Sequence, residues 1–307
     1  MRATLFHNPK AGMGDHSKEE LVAALRLARL DVSYCSTKSS DFEDALKEPA
    51  DLVVVAGGDG TITKVLKQWR DRTVPIGIVP LGTANNIATT LGLAGEAEDL
   101  APRWSLERTR RLDIGRATGP WGECRFVEAV GFGALARSTD KGVGTKSNGD
   151  KRLLLGRDAF RQALCQARSR ISDLAVDGQP VPCGVLAVEI LNIGFAGPRL
   201  PLCPSSDPGD GLLDIVCVRA EQREKMLDWL AAPEQRMPPP VSVTRGRGAT
   251  FTWDCKEPLR IDDEFPACPD GPESVTVELE LEGVKVLVPQ PLERRQRSRN
   301  RQEELER

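Results

Sequence analysis

Residues 57–61 read Gly57-Gly58-Asp59-Gly60-Thr61, directly behind the apolar run Leu52-Val53-Val54-Val55-Ala56. Glycines at 57, 58 and 60 permit backbone angles and close approaches that a Cβ forbids. Ile62, Val65, Leu66 and Trp69 then mark the i, i+3, i+4, i+7 face of a helix. A buried strand, a glycine turn and a helix in that order aim unpaired N–H groups and a helix N-terminus at one point. That arrangement suits a phosphate. Asp59 adds a carboxylate, which a phosphate site accommodates mainly when Mg²⁺ lies between them.

Two more turns have the same construction of strand, loop and helix. Ala3–Phe6 leads into Asn8-Pro9-Lys10-Ala11-Gly12-Met13-Gly14, and Ser17-Lys18-Glu19-Glu20 then matches a helix capping box. Val74–Val79 leads into Pro80-Leu81-Gly82-Thr83, with Asn85 and Asn86 opening a helix. Any one of these loops alone is weak, because a glycine after a strand is often only a turn. Together they line up along the carboxyl ends of a parallel sheet, where α/β ligands bind. The set points to nucleotide phosphates. Asn8, Lys10 and Gly12 form the first cradle, Gly57, Gly58, Gly60 and Thr61 the second, and Gly82, Thr83 and Asn85 the third. Lys10 is a plausible phosphate counter-charge, although a lone loop lysine is more often only solvated.

These motifs, in this order, resemble the diacylglycerol kinase catalytic-domain family, closest to its soluble bacterial lipid kinase branch, with sphingosine kinases and, more distantly, NAD kinases as relatives. The resemblance continues through Arg111-Leu112-Asp113-Ile114-Gly115, Phe126 to Gly133, Asn192, Asp207-x-x-Asp210-Gly211-x-Leu213-Asp214 and Ile261-Asp262-Asp263-Glu264. It covers about residues 3–290. There are departures: Asn86 stands where the family usually has Asp, Glu128 where Asn is common, and Asp263 where an Asp-Gly-Glu element has Gly. The resemblance implies ATP bound to the first domain's loops and an acceptor lipid hydroxyl supplied from the second domain. Asp59 and Asp113 are then candidates for organising Mg–ATP, and a turn or cap role for Asp113 carries nearly equal weight.

Asp207 and Asp210 stand three apart in a tight loop ending at Leu212, whose backbone carbonyl adds a third oxygen. On spacing alone this is an Asx turn leading into a strand. The resemblance implies a structural Mg²⁺ (or Ca²⁺) there, apart from the catalytic one. The resemblance also places an acidic catalytic residue at Glu264, which would act as general base toward the lipid hydroxyl. Two preceding acids should raise at least one carboxyl pKa in that run.

Residues 1–115 alternate strand and helix, which implies a parallel sheet with helices on both faces. From 116 to 288 short alternating stretches dominate, and Val275 to Leu281 has strict period two, as a half-buried antiparallel strand does. The fold class is therefore an α/β domain followed by a β-rich sandwich, with the active cleft between them. The resemblance implies that the C-terminal segment, placed at 289–307, returns to the first domain. NAD kinase is the rival enzyme, since it shares Gly-Gly-Asp-Gly but resembles an Asn-Glu pair where this chain has Asn85-Asn86. A catalytically dead lipid- or nucleotide-binding regulator is the rival from another class.

The net charge of −3 gives no global basic field for nucleic acid. Only His7 and His16 occur, so a histidine-based triad or zinc site is disfavoured and acid–base chemistry falls to carboxylates or lysines. The eight cysteines form no C-x-x-C pair and read as reduced packing residues of a cytoplasmic protein. No apolar run approaches a membrane span. Peripheral contact is expected instead through 137–170, which holds nine Lys or Arg against three Asp. There Leu153, Phe160, Leu164 and Ala167 make an apolar stripe flanked by Arg152, Arg161 and Arg168. Packing of that stripe on the β domain is the slightly favoured alternative. A homodimer is left open.

Overall fold

The computed structural model describes residues 1–11, 16–140, 149–169, 173–181, 184–232, 237–254, 256 and 258–291. The first domain runs β1 (Arg2–His7), α1 (Lys18–Leu27), β2 (Asp31–Ser36), α2 (Phe42–Ala45), β3 (Leu52–Gly57) and α3 (Asp59–Gln68). It continues with β4 (Ile76–Pro80), α4 (Asn86–Thr90), α5 (Ala97–Leu100) and β5 (Thr109–Leu112). Every residue of β3 is buried, as its uniform apolar sequence requires of a central strand. The six-stranded sheet has the order β2-β1-β3-β4-β17-β5, so the β1 and β3 loops end side by side. Ser17 and Glu20 close the capping box that starts α1.

The second domain begins with β6 (Gly115–Gly119), β7 (Gly122–Phe126), β8 (Ala129–Gly133), α6 (Ala134–Asp140) and α7 (Gly149–Gln166). Next come β9 (Ala175–Val176), β10 (Gln179–Pro180), β11 (Val185–Leu191), β12 (Leu213–Arg219) and α8 (Arg223–Ala231). The chain closes with β13 (Ser242–Gly246), β14 (Gly248–Trp253), β15 (Leu259–Ile261), β16 (Glu273–Leu279) and β17 (Val284–Leu287). A six-stranded sheet, β10-β9-β14-β16-β6-β7, packs on a five-stranded sheet, β13-β12-β11-β8-β15. Val188, Ile190 and Ile215 meet Phe251, Val275 and Val277 in the sandwich core. The period-two reading fits β16, where Val275 and Val277 are buried and Thr276 between them is exposed. Helices α7 and α8 cover the far face of the five-stranded sheet through Phe160, Leu164, Met226 and Trp229.

β17 returns to the first sheet, parallel to β4 and antiparallel to β5. The returning strand is therefore Val284–Leu287, ahead of the 289–307 segment expected for it, most of which lies outside the described residues. Cys35, Cys124, Cys165, Cys203 and Cys217 are free thiols, but Cys268 is disulfide-bonded, against the reading of all cysteines as reduced. Among the described residues no helix is long and apolar enough to cross a membrane.

Candidate active site

The three glycine loops are tied to one another. A Cβ on Gly82 would lie 2.4 Å from the Gly58 Cα, so the β3 and β4 loops pack backbone against backbone only because both positions are glycine. Asn85, in the left-handed region at φ 48, closes the third turn by accepting from Gly82 N and donating to Gly82 O, both at 2.8 Å. The Asn8 amide donates to Thr61 Oγ1 at 3.3 Å and its carbonyl oxygen accepts from Lys10 N at 3.1 Å, joining the first loop to the second. Asp59 Oδ1 accepts the Ile87 N–H at 3.0 Å, so the second loop's acid also holds the start of α4. From the second domain, Arg199 donates to the carbonyls of Ala84 (2.7 Å) and Thr83 (2.5 Å). Gly12 lies outside the described residues.

These loops form one wall of a cleft of about 710 Å³. Asn8, Lys10, Gly58, Asp59, Gly60, Thr61, Gly82 and Thr83 line it from the first domain. The second domain supplies Glu128, Arg152, Leu153, Gly197, Arg260 and Asp263. The carboxylates of Asp59, Glu128 and Asp263 thus share one cavity with Lys10, Lys38 and Lys64 at its first-domain side. Burial raises the Asp59 pKa, opposed by the N–H groups of Ile87 and Asn86 and reinforced by Asp263. Burial pushes Glu128 well above the usual carboxylate range, and the charges of Asp59 and Asp263 add to it.

The acids at 262–264 face three different ways. Asp262 adopts φ 51 and is buried at 2 % exposure. Its carboxylate collects the N–H groups of Val127 (3.1 Å), Glu128 (2.8 Å) and Ala129 (3.2 Å) and pairs with Lys67 at 3.1 Å. Its pKa is raised mainly by burial, opposed by Lys67, rather than by the crowding of neighbouring acids that the sequence suggested. Asp263 then lines the cleft beside Gly60. Glu264 does not line it: its side chain is 69 % exposed and pairs with Lys67 at 3.2 Å. The structure thus puts Asp263 in the cleft wall and Glu264, expected as the base, outside it. The left-handed turn at Asp262 separates the two neighbours, and nothing in three consecutive acids announces such a turn.

Two of the noted departures meet in the cleft wall. Asn86 Nδ2 donates to Glu128 Oε2 at 3.1 Å and to Gly197 O at 3.1 Å. An aspartate at 86 beside Glu128 would bury two like charges, so amide and carboxylate have in effect changed places between these positions. Asn86 Oδ1 has no hydrogen-bond partner. Sequence reading singled out Glu128 only as a departure, and it gave no signal for Arg260, which pairs with buried Glu189 at 2.7 Å behind the cleft.

Asp113 does not reach the cleft. It is 1 % exposed, accepts from Gly211 N at 2.9 Å and pairs with Arg111. It joins the β5–β6 connection to the loop before β12, and the Mg–ATP role expected of it gives way to the turn role. That loop is not arranged as a cation site either. Asp207 Oδ1 takes Arg110 at 3.3 Å and Gly209 N at 3.3 Å. Asp210 Oδ1 accepts from Leu212 N at 3.0 Å, an Asx turn, and Oδ2 pairs with Arg245. Arg245 also holds buried Asp214 at 2.9 Å. Among the described residues no group of three His, Cys, Asp or Glu side chains is placed to hold a metal. The donor set expected at Asp207, Asp210 and Leu212 is occupied by guanidinium groups and backbone, and it does not fit a structural Mg²⁺ or Ca²⁺.

Comparison with known proteins agrees with this architecture. The diacylglycerol kinase catalytic domain matches residues 2–117, and the YegS C-terminal NAD kinase beta sandwich-like domain matches residues 155–278. The chain is 28% identical over 246 residues to a diacylglycerol kinase of Mycobacterium tuberculosis, covering 74% of this chain and 76% of the relative. It is 33% identical over 189 residues to a YegS-like lipid kinase of Xanthomonas campestris, covering 58% and 59%. Among solved structures, a diacylglycerol kinase from Bacillus anthracis superposes with a TM-score of 0.69 at 20% identity, covering 94% of this chain and 97% of that one. An ATP complex of an NAD kinase from Archaeoglobus fulgidus reaches 0.52 at 15% identity, covering 94% of each chain. With both matched domains in their order and the three glycine loops joined in one cleft, the chain carries a diacylglycerol kinase catalytic domain followed by a YegS-type, NAD kinase-like β-sandwich domain.

Proposed function

We propose that this protein transfers the γ-phosphoryl group of ATP to the hydroxyl of a lipid of the diacylglycerol, phosphatidylglycerol or sphingoid type. The observation that carries the reading is the single cleft that joins three phosphate-type loops to carboxylates of both domains. The loop N–H groups, Lys10 and Lys64 are placed to neutralise nucleotide phosphates. Mg²⁺ enters with the nucleotide as part of the substrate, and Asp59 is the carboxylate placed to receive it. Asp263 is then the base. It takes the proton of the lipid hydroxyl as that oxygen attacks the γ-phosphorus and the bond to the β-phosphate oxygen breaks, releasing ADP. Glu128, held toward its neutral form by burial, limits the negative charge that the transferring group meets. Arg199 and Asn86 keep the third loop and the second domain in register.

The test is transfer from radiolabelled ATP across a panel of lipid acceptors, with NAD as a further acceptor. Phosphorylation of one or more lipids with Mg²⁺ present supports the reading. Phosphorylation of NAD and of no lipid overturns it in favour of NAD kinase, and bound nucleotide without any turnover favours a non-catalytic regulator.

A further inference from the structure

Helix α7 is two different surfaces joined end to end. Its C-terminal half is anchored, with Phe160, Ala163 and Leu164 buried against the sandwich domain. Of the expected stripe of Leu153, Phe160, Leu164 and Ala167, the last three form a packing face and Leu153 lines the cleft. The helix's N-terminal half has no such cover. Leu154 is 60% exposed and Leu155 40% exposed, side by side on the outer surface. The same turn reaches the cleft, because Arg152, Leu153 and Gly156 line it. The apolar pair therefore lies at the cleft mouth and not on a remote face.

The charges around the pair have one dominant sign. Lys151, Arg152 and Arg161 are exposed along the helix and Arg168 just beyond its end, against exposed Asp150 and Asp158. Gln162 donates to Asp158 at 2.7 Å. Among the described residues no ion pair engages Lys151, Arg152 or Arg161, so no described acid neutralises these cations. Exposed leucines flanked by unpaired cations form the amphipathic pattern of a helix that lies on anionic lipid.

We propose that the exposed face of α7 docks on an anionic bilayer, with Leu154 and Leu155 inserted among the acyl chains and Lys151, in the first turn, and Arg161, further along the helix, against the headgroups. The inference rests on the lipid-acceptor reading for its purpose, since it sets the cleft mouth against the surface from which the acceptor alcohol must come. It rests on the helix alone for its physics. The anchored half of α7 fixes the angle of approach, and the residues that meet lipid are not those that line the cleft.

The experiment uses the full chain, wild type and two double variants, Leu154→Asp/Leu155→Asp and Lys151→Glu/Arg161→Glu. Sedimentation with phosphatidylcholine vesicles is compared with sedimentation when phosphatidylserine is added, at low and high salt. Wild type should bind the anionic vesicles and release in salt, and each double variant should bind at least about tenfold more weakly. Turnover of the best acceptor is then measured in vesicles and as a dispersed short-chain analogue. The variants should lose vesicle turnover and keep turnover of the analogue. Equal binding of wild type to both vesicle types, binding that ignores salt, or variants that bind like wild type would each overturn the docking proposal. A second copy on this face would show as concentration-dependent dimerisation abolished by the leucine variant, without vesicle binding, and also overturns it. Vesicle binding by the stated residues with no lipid phosphorylated in either form would leave docking standing and remove the lipid kinase reading instead.

Discussion

In the cleft, Asp59, Glu128 and Asp263 face one cavity, and among the described residues none of them has an ion-pair partner. In the loop ahead of β12, Asp207, Asp210 and Asp214 each meet an arginine, from Arg110 or Arg245, and Asp113 meets Arg111. The two groups are similar in composition, and both stand where glycine-rich segments converge. Their electrostatics differ. Carboxylates neutralised by guanidinium groups hold the chain together and leave little to offer a ligand. Burial raises the cost of ionising Asp59 and Glu128, neighbouring carboxylates add to it, and a cation or a proton-donating substrate would relieve that cost. On this comparison the cleft carboxylates are left open to a ligand, and the 207–214 loop is a fastening.

The largest expected effect breaks the cleft side of the comparison. Asp59→Asn keeps an oxygen to accept the Ile87 N–H and so keeps the start of α4, while it removes the charge proposed to receive Mg–ATP. Turnover should fall by about three orders of magnitude or more, with the melting temperature nearly unchanged. Asp59→Ala is the poorer test, because losing the cap costs about 1 kcal/mol of its own. Near-wild-type turnover of the Asn variant at saturating Mg²⁺ would end the role assigned to Asp59.

Next is the contest between neighbours. Asp263→Asn should lower turnover by about two to four orders of magnitude with ATP affinity unchanged. Glu264→Gln should cost less than about tenfold, because its side chain lies outside the cleft against Lys67. The reverse ranking would return the base to Glu264 and show that the turn at Asp262 rearranges when substrate binds.

This contest also marks how far the sequence was legible. The strand, glycine and helix order of the first domain depends on contacts within a few residues, and β3, α3 and the three loops lie where Gly58, Asp59 and Gly82 put them. The pairing of Asn86 with Glu128 spans 42 positions, and that of Arg260 with Glu189 spans 71. No local pattern encodes which buried polar groups meet over such separations. The acids at 262–264 part for a related reason. Asp263 and Glu264 differ in placement because Asp262 spends its carboxylate on the N–H groups of residues 127–129, a fact set by β8 and β15 lying side by side. In the 207–214 loop spacing alone points to an Asx turn, and the cation expected there comes only from the resemblance. The arginines that exclude it come from β5 and β13, far away in sequence.

Arg245→Ala tests the fastening. Its loss leaves buried Asp214 without its cation and frees Asp210. Since Arg245 is itself nearly half exposed, the cost should be about 1–2 kcal/mol rather than that of a fully buried pair. In the wild type, added Mg²⁺ or Ca²⁺ and added chelator should leave the melting temperature of the nucleotide-free protein unchanged. A clear rise with either cation in the wild type, lost in Asp210→Ala, would overturn the assignment and restore a metal to this loop.

The smallest effect sharpens the comparison from within the cleft. Burial, with Asp59 and Asp263 adding to it, holds the folded-state pKa of Glu128 well above the ordinary 4.5 at which the unfolded chain titrates. Between those two values the folded protein keeps a proton that the unfolded chain has released. Its contribution to stability is therefore complete below about pH 4.5 and is lost progressively as pH rises toward the folded-state value. Glu128→Gln removes the titration and retains an oxygen to accept from Asn86 Nδ2. At acidic pH the variant and the wild type should melt together. By about pH 8 the variant should melt higher by about 2–4 °C, roughly 1 kcal/mol for a domain of this size. Thermal scans across that range read the difference directly. Parallel curves for wild type and Glu128→Gln would mean that Glu128 ionises as easily folded as unfolded. The cleft would then not be the place where this chain concentrates unpaired charge.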